Sequence, residues 1–202
     1  IALKAFHEDR PGPRWRQLYD ATWPAYRSWY LRHGTGRRPT VSEAEDALLR
    51  HMPELHPTWE GLVAMTGRDS TTASMLTGWN MPAFAPACSQ VVVNTGTGPE
   101  ARALIRNYDY HPDLFEQVVM STRLTDREVV GTSDCLWGLL DGMNSDGLAI
   151  SLTFGGARGS GNGFGIPLVV RYLLEVAGTV EDAVAAVSRI PVAMSYNLTM
   201  TD

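Results

Sequence analysis

The apolar residues of this chain change period once, near residue 87, and that change limits the fold more than any other feature. Before it the spacing is helical. Trp15, Leu18, Tyr19, Tyr26, Trp29 and Tyr30 recur at helix-like intervals, with Pro24 expected to interrupt them. "TVSEAEDALLRHM" predicts a second helix capped by Thr40 or Ser42, "PTWEGLVAMTG" a third closed by Gly67, and "STTASMLTGWN" a fourth. The aromatic stripe reads as packing rather than as a cofactor box.

After residue 87 the runs are short, rich in Val, Ile, Leu and aromatics, and bounded by Gly, Asn or Asp. "CSQVVVN", "ALIRNYDY", "FEQVVMSTRL", "REVVGTS", "CLWGLLDGMN" and "GLAISLTF" predict successive antiparallel strands, with "NTGTGPE" and "NSDG" as turns. The Gly-rich "GGARGSGNGFG" fits neither phosphate-binding spacing and predicts a flexible rim loop. A helix from Ile166 to about Ala177 follows, with Pro167 in its first turn. Thr179 with Asp182 caps the next, "VEDAVAAVSRI", and "AMSYNLTMTD" supplies a last strand. Strands, two helices and a strand predict an α+β fold with strands under a helical layer. The expected division is a helical front segment over 1–87 and a strand-rich part over 88–202. A layered fold stopping in its last strand leaves a sheet edge open, so the remainder is expected beyond Asp202 or on another chain.

Composition narrows the function classes. A net charge of -5 without a basic block argues against nucleic acid or an anionic membrane as partner. No apolar run is long enough to cross a membrane. Two cysteines make no disulfide scaffold, and a reducing, cytoplasmic location is expected. No C-x-x-C or H-E-x-x-H pattern occurs, so neither a metal nor a cofactor is expected.

The chemistry centres on "PAFAPACSQVVVNTG", where a proline-broken loop runs straight into Cys88. Cys88 is either a small residue at a strand edge or a nucleophile. A free thiol is only a few per cent ionised at neutral pH and needs a base. His111 in "YDYHPD" is one candidate. Another is the α-amino group released if the Ala87–Cys88 bond is cut, whose pKa of about 7.7–8.0 suits the task. In "LIRNYDY", Arg106 and Asp109 point to opposite faces by alternation unless a bulge intervenes. Asn197 in "YNLTMTD" is disfavoured in a strand and offers an oxyanion donor. Cys135 in "SDCLWG" reads as a buried structural thiol.

"ACSQVVV", "RNYDY", "DGMNSDGLAISLTFGG" and "MSYNLTMTD" occur in order. Together they resemble the cysteine N-terminal-nucleophile (Ntn) hydrolases, the group of isopenicillin-N acyltransferases, choloylglycine hydrolases, penicillin V acylases and acid ceramidases. The likeness is to the bacterial acyltransferase-like branch, covers about residues 81–202, and extends more loosely to a helical pro-segment in front. It implies a four-layer αββα sandwich, only its first part in this chain. It implies self-cleavage between Ala87 and Cys88, with Cys88 as nucleophile and its amine as base. Arg106 and Asp109 then lie beside Cys88, Asn197 is an oxyanion donor, and a backbone amide at about Thr153 is the other. Ala87 departs from the glycine usual in the acyltransferase branch. The implied activity is hydrolysis or acyl transfer at a linear amide through a Cys88 thioester. The implied partners are an acyl amide or acyl donor with an amine acceptor, and the rest of the Ntn domain; a homo-oligomer is compatible with the sequence. Two rivals stand beside it. One is a non-catalytic relative that binds an acyl amide or a protein, the other an uncleaved enzyme whose internal Cys88 uses His111.

Overall fold

The structure, a computed structural model, describes residues 2–32, 38–83, 87–96, 102–110, 115–157 and 161–202. The front segment holds four helices: α1 (Pro13–Arg32), α2 (Val41–His51), α3 (His56–Met65) and α4 (Ser70–Leu76). It also holds a strand that its helical spacing does not announce, β1 (Lys4–His7). α1 runs unbroken through Pro24. The ring removes the N–H that would bond the Asp20 carbonyl, but both residues sit on the exposed side, where water reaches the freed oxygen. Thr40 caps α2 through a full capping box with Glu43, so Thr40 and not Ser42 is the cap. Gly67, at φ +75°, follows α3 as expected.

The remaining strands are β2 (Ala87–Asn94), β3 (Arg102–Asp109), β4 (Val118–Thr122), β5 (Val129–Asp134), β6 (Gly138–Asn144), β7 (Ala149–Phe154) and β8 (Tyr196–Thr201). The last two helices are α5 (Ile166–Val176) and α6 (Val180–Val187). The strands do not form one run of neighbours. Six make a sheet in the order β1-β4-β5-β6-β7-β8, while β2 and β3 form a separate antiparallel pair. β1 pairs with β4 in parallel, which ties the front segment into the main sheet.

α5 packs on β5, β6 and β7, and the β2–β3 pair packs on β7 and β8. Alternation in β7 sends Ile150 and Leu152 to one face and Ser151 and Thr153 to the other. Gly142 lets α5 approach closely, since a Cβ there would meet Leu174 Cδ1 at 2.9 Å. The order is helix, sheet, strand pair, which is the α–β–β layering expected of the first part of an αββα sandwich. The front helices enter the same core: Trp15, Leu48 and Leu62 cluster with Leu152, Val169 and Leu173. The stack of Trp15, Tyr19 and Trp23 is therefore packing.

Two polar tethers hold the layers in register. Asn144 binds the Leu174 and Ala177 carbonyls through its amide N–H groups while its Oδ1 accepts from Asp146 and Leu148. Arg171, fully buried, donates to the Trp137 carbonyl, Thr122 and Glu175, so its charge is paired and its N–H groups are used. The Gly-rich connection is anchored over its described second half rather than being a loose rim. Asn80 N–H donates to Gly163 O at 2.8 Å, and Phe164 is fully buried against Trp79.

Candidate active site

β2 and β3 pair without a register shift from Ala87↔Asp109 to Asn94↔Arg102, so strict alternation decides which side chains meet. Cys88 and Gln90 turn toward the main sheet, as do Arg106 and Tyr108 from β3, while Ala87, Ser89, Asn107 and Asp109 are exposed on the other side. Cys88 lies opposite Tyr108 and Gln90 opposite Arg106, which makes Cys88 and Arg106 diagonal neighbours.

The two touch. Arg106 Nη2 lies 3.4 Å from Cys88 Sγ. The guanidinium is fixed from the far side by Asp141 on β6, Nη1 to Oδ2 at 2.7 Å, and lies 4.8 Å from the Tyr108 ring centroid. Only 5% of the Arg106 side chain is exposed, so its charge acts on the sulfur with little screening. Burial pushes the Tyr108 phenol up, so it stays neutral and supplies a face rather than a charge.

Gln90 continues the site. Its Oε1 accepts from Ser151 Oγ, and its Nε2 reaches Thr153 Oγ1 at 3.5 Å. Thr153 pairs directly with Asn197 across β7 and β8, so both side chains stand on the face toward the strand pair. Asn197 is exposed, and its Nδ2 donates to the Phe154 carbonyl at 3.4 Å. A common surface between the two sheets thus carries Cys88, Gln90, Arg106, Asp141, Ser151 and Thr153, with Asn197 at its edge.

The strand registers decide what Asp109 and Thr153 present. Asp109 is not brought round by a bulge: it stays on the outer face, opposite Ala87, and its Oδ1 accepts from Asn107. The backbone amide of Thr153 belongs to the ladder. Gly155 N–H donates to Ser195 O, and two residues back along an unshifted antiparallel register the same pattern sends Thr153 N–H to Asn197. What Thr153 offers the inter-sheet surface is its hydroxyl.

Histidines are elsewhere among the described residues. His7 meets Ser121, His51 stacks on Trp79, and His56 pairs with Glu45. His33 and His111 lie outside the described residues. The Cys135 thiol is pushed well up by burial and by the charges of Asp134 and Glu116, which favours its protonated form. Gln90 and Asp141 were not expected. Gln90 was legible as the i+2 neighbour of Cys88, and Asp141 as a lone acid inside the apolar "GLLDGM".

Residues 95–202 match the family model of the acyl-coenzyme A:6-aminopenicillanic acid acyl-transferases, which is more than half of the chain. The chain belongs to this family. The match takes in Arg106, Asp109, Asp141, Thr153 and Asn197 and begins after Cys88. Among solved structures the chain is similar to penicillin V acylase from Agrobacterium tumefaciens, at 18% identity and a TM-score of 0.31. That likeness covers 58% of this chain and 33% of the acylase chain, so this chain spans about a third of its length. No curated protein matches. Within this acyl-transferase family member, no helix among the described residues is long and apolar enough to cross a membrane.

Proposed function

We propose that the chain carries the nucleophile half of a cysteine amidohydrolase or acyltransferase that acts on a linear amide through an acyl thioester on Cys88. The Arg106–Cys88 contact carries this reading. A guanidinium buried and anchored by Asp141 stands 3.4 Å from the Cys88 sulfur, which fixes that sulfur on the surface between the two sheets beside a positive charge.

The first turnover is on the chain itself. Cys88 Sγ attacks the Ala87 carbonyl carbon, the C–N bond breaks, and Cys88 nitrogen leaves as a free amine. Water then cleaves the thioester, leaving Ala87 as a carboxylate and Cys88 as a chain start. In later turnovers the Cys88 amine takes the thiol proton as sulfur attacks the substrate carbonyl. The oxyanion is held by the Asn197 amide and the Thr153 hydroxyl. The proton passes to the departing amine, and water or a second amine takes the acyl group. Asp109, opposite Ala87 in the register, stands beside the new chain start and holds its ammonium form.

Intact mass under denaturing conditions tests the processing step, with two fragments meeting at Ala87–Cys88 as the expected result. Incubation with an activated acyl donor such as a p-nitrophenyl ester should then add one acyl group to the Cys88 peptide, and Cys88→Ala should abolish both events. Turnover retained by Cys88→Ala sinks the assignment.

A further inference from the structure

Between α1 and the segments that lead into β4 and out of β5 lies a cavity of about 180 Å³. Two carboxyl groups, Glu116 and Asp134, are at its base, and Trp29, Tyr110 and Phe115 form its walls. Both carboxyls are bridged by one phenol: Tyr26 Oη is 2.6 Å from Glu116 Oε1 and 2.8 Å from Asp134 Oδ1. Cys135 N–H donates to the same phenol oxygen, and Leu136 N–H and Ser133 Oγ donate to Glu116.

Protons do not balance in this triad if both carboxyls are ionised. Tyr26 has one hydroxyl hydrogen and two short contacts to carboxyl oxygens, so one contact needs a second proton, held by a carboxyl. Glu116 has donors on both oxygens. Asp134 is 3% exposed, and its Oδ2 is buried without a hydrogen-bond partner among the described residues. Burial and the neighbouring Glu116 push Asp134 up to about 7. Cys135 and Leu136 follow in consecutive left-handed conformations, φ +54° and +75°, that a non-glycine residue adopts only when its surroundings enforce it. Here that turn delivers two N–H groups to Tyr26 and Glu116.

Asp134 Oδ2 is left without a hydrogen bond, and among the described residues no Lys, Arg or His lines the cavity, Arg106 acting on Asp134 only from the β3 side. A metal ion is a poor fit: no cluster of three or more ligating side chains occurs among the described residues. Aromatic walls suit an organic cation, which they attract through their ring faces. A cavity of about 150 Å³ accepts a benzene ring, so this one has room for a ring or short alkyl chain with an aminomethyl arm. We infer that this cavity is a binding site for a small organic ammonium ion, held by Asp134 Oδ2 between the rings of Trp29, Tyr110 and Phe115. Arg106 faces both Asp134 and Cys88, but neither Arg106 nor Cys88 lines the cavity.

Titration calorimetry of the full-length protein with benzylammonium chloride at pH 8, against benzyl alcohol as its neutral counterpart, tests this. Saturable binding of the cation is expected, at least tenfold tighter than the alcohol. Asp134→Asn should weaken it at least tenfold. Ala25→Phe, on the exposed rim of α1, should do the same by closing the mouth without touching the carboxyls. Affinity should fall about tenfold from pH 8 to pH 6 as Asp134 takes up its proton. The groups facing Asp134 are Tyr26 from α1, Glu116 ahead of β4, Arg106, Tyr108 and Tyr110 from the β3 side, Cys135, and Tyr196 from β8. Of these, Asp134 is the group pushed up to about 7. No saturable binding, equal binding of benzyl alcohol, or binding unchanged in both variants overturns the proposal. Cys88→Ala should bind the cation normally, so a failure of the acyl-transfer reading leaves this result interpretable.

Discussion

Arg106 and Asp141 join the two sheets across the proposed site, Nη1 to Oδ2 at 2.7 Å, and the same guanidinium meets Cys88 Sγ. Asp141 touches no reacting atom and positions the residue that does. Asp141→Asn should lower turnover about tenfold, equivalent to ~1.4 kcal/mol of barrier. KM should stay nearly unchanged, and stability should drop by about 1.5–3 kcal/mol for the lost charged hydrogen bond. Steady-state kinetics and a thermal melt separate the two effects. Turnover equal to wild type in a folded variant removes Asp141 from the mechanism.

Asn197→Ala should cost roughly 10²–10³ in turnover if its amide holds the oxyanion. Thr153 distinguishes a hydroxyl donor from a backbone one. Thr153→Val keeps the shape and the β7–β8 ladder but removes the hydroxyl, so rate should fall while Thr153→Ser stays near wild type. If valine is as fast as threonine, the hydroxyl takes no part.

The Asp134–Glu116 pair makes stability depend on pH. Asp134 is near 3.9 when unfolded and is raised to about 7 when folded. Between those values the folded protein binds more protons than the unfolded one, so stability falls as pH rises from about 4 to 7 and then levels off. Melting temperature should therefore be higher at pH 5 than at pH 8, and Asp134→Asn should flatten that slope. An unchanged slope in the variant would falsify the assignment of the proton to this pair.

Pro24 costs α1 a backbone hydrogen bond at an exposed position. Pro24→Ala restores it and should raise stability by about 1 kcal/mol or more, since proline is roughly 3 kcal/mol worse than alanine inside a free helix. A chemical denaturation curve with an unchanged midpoint shows instead that the surrounding packing already offsets the loss.

Much of the fold was legible because it rests on local patterns. The cap at Thr40, the stop at Gly67, the Asn144–Gly147 turn and the apolar alternation of β7 are each set by a few neighbouring residues. Alternation alone also set the face of Cys88, Gln90 and Arg106 and the opposite face of Asp109. Which strand lies beside which was not local. β1 looks like part of a helical segment until its backbone pairs with β4, more than a hundred residues away. β2 and β3 read like the strands that follow them until packing splits them into a separate layer. The contacts that define the site and the cavity, Arg106 with Asp141, Gln90 with Thr153, and Tyr26 with Glu116 and Asp134, all arise between such layers. Sequence determined the period, the turns and the facing of each side chain, because these follow from backbone geometry within a few residues. Only the tertiary structure decided which faces meet, because burial between layers is shared by residues far apart in the chain.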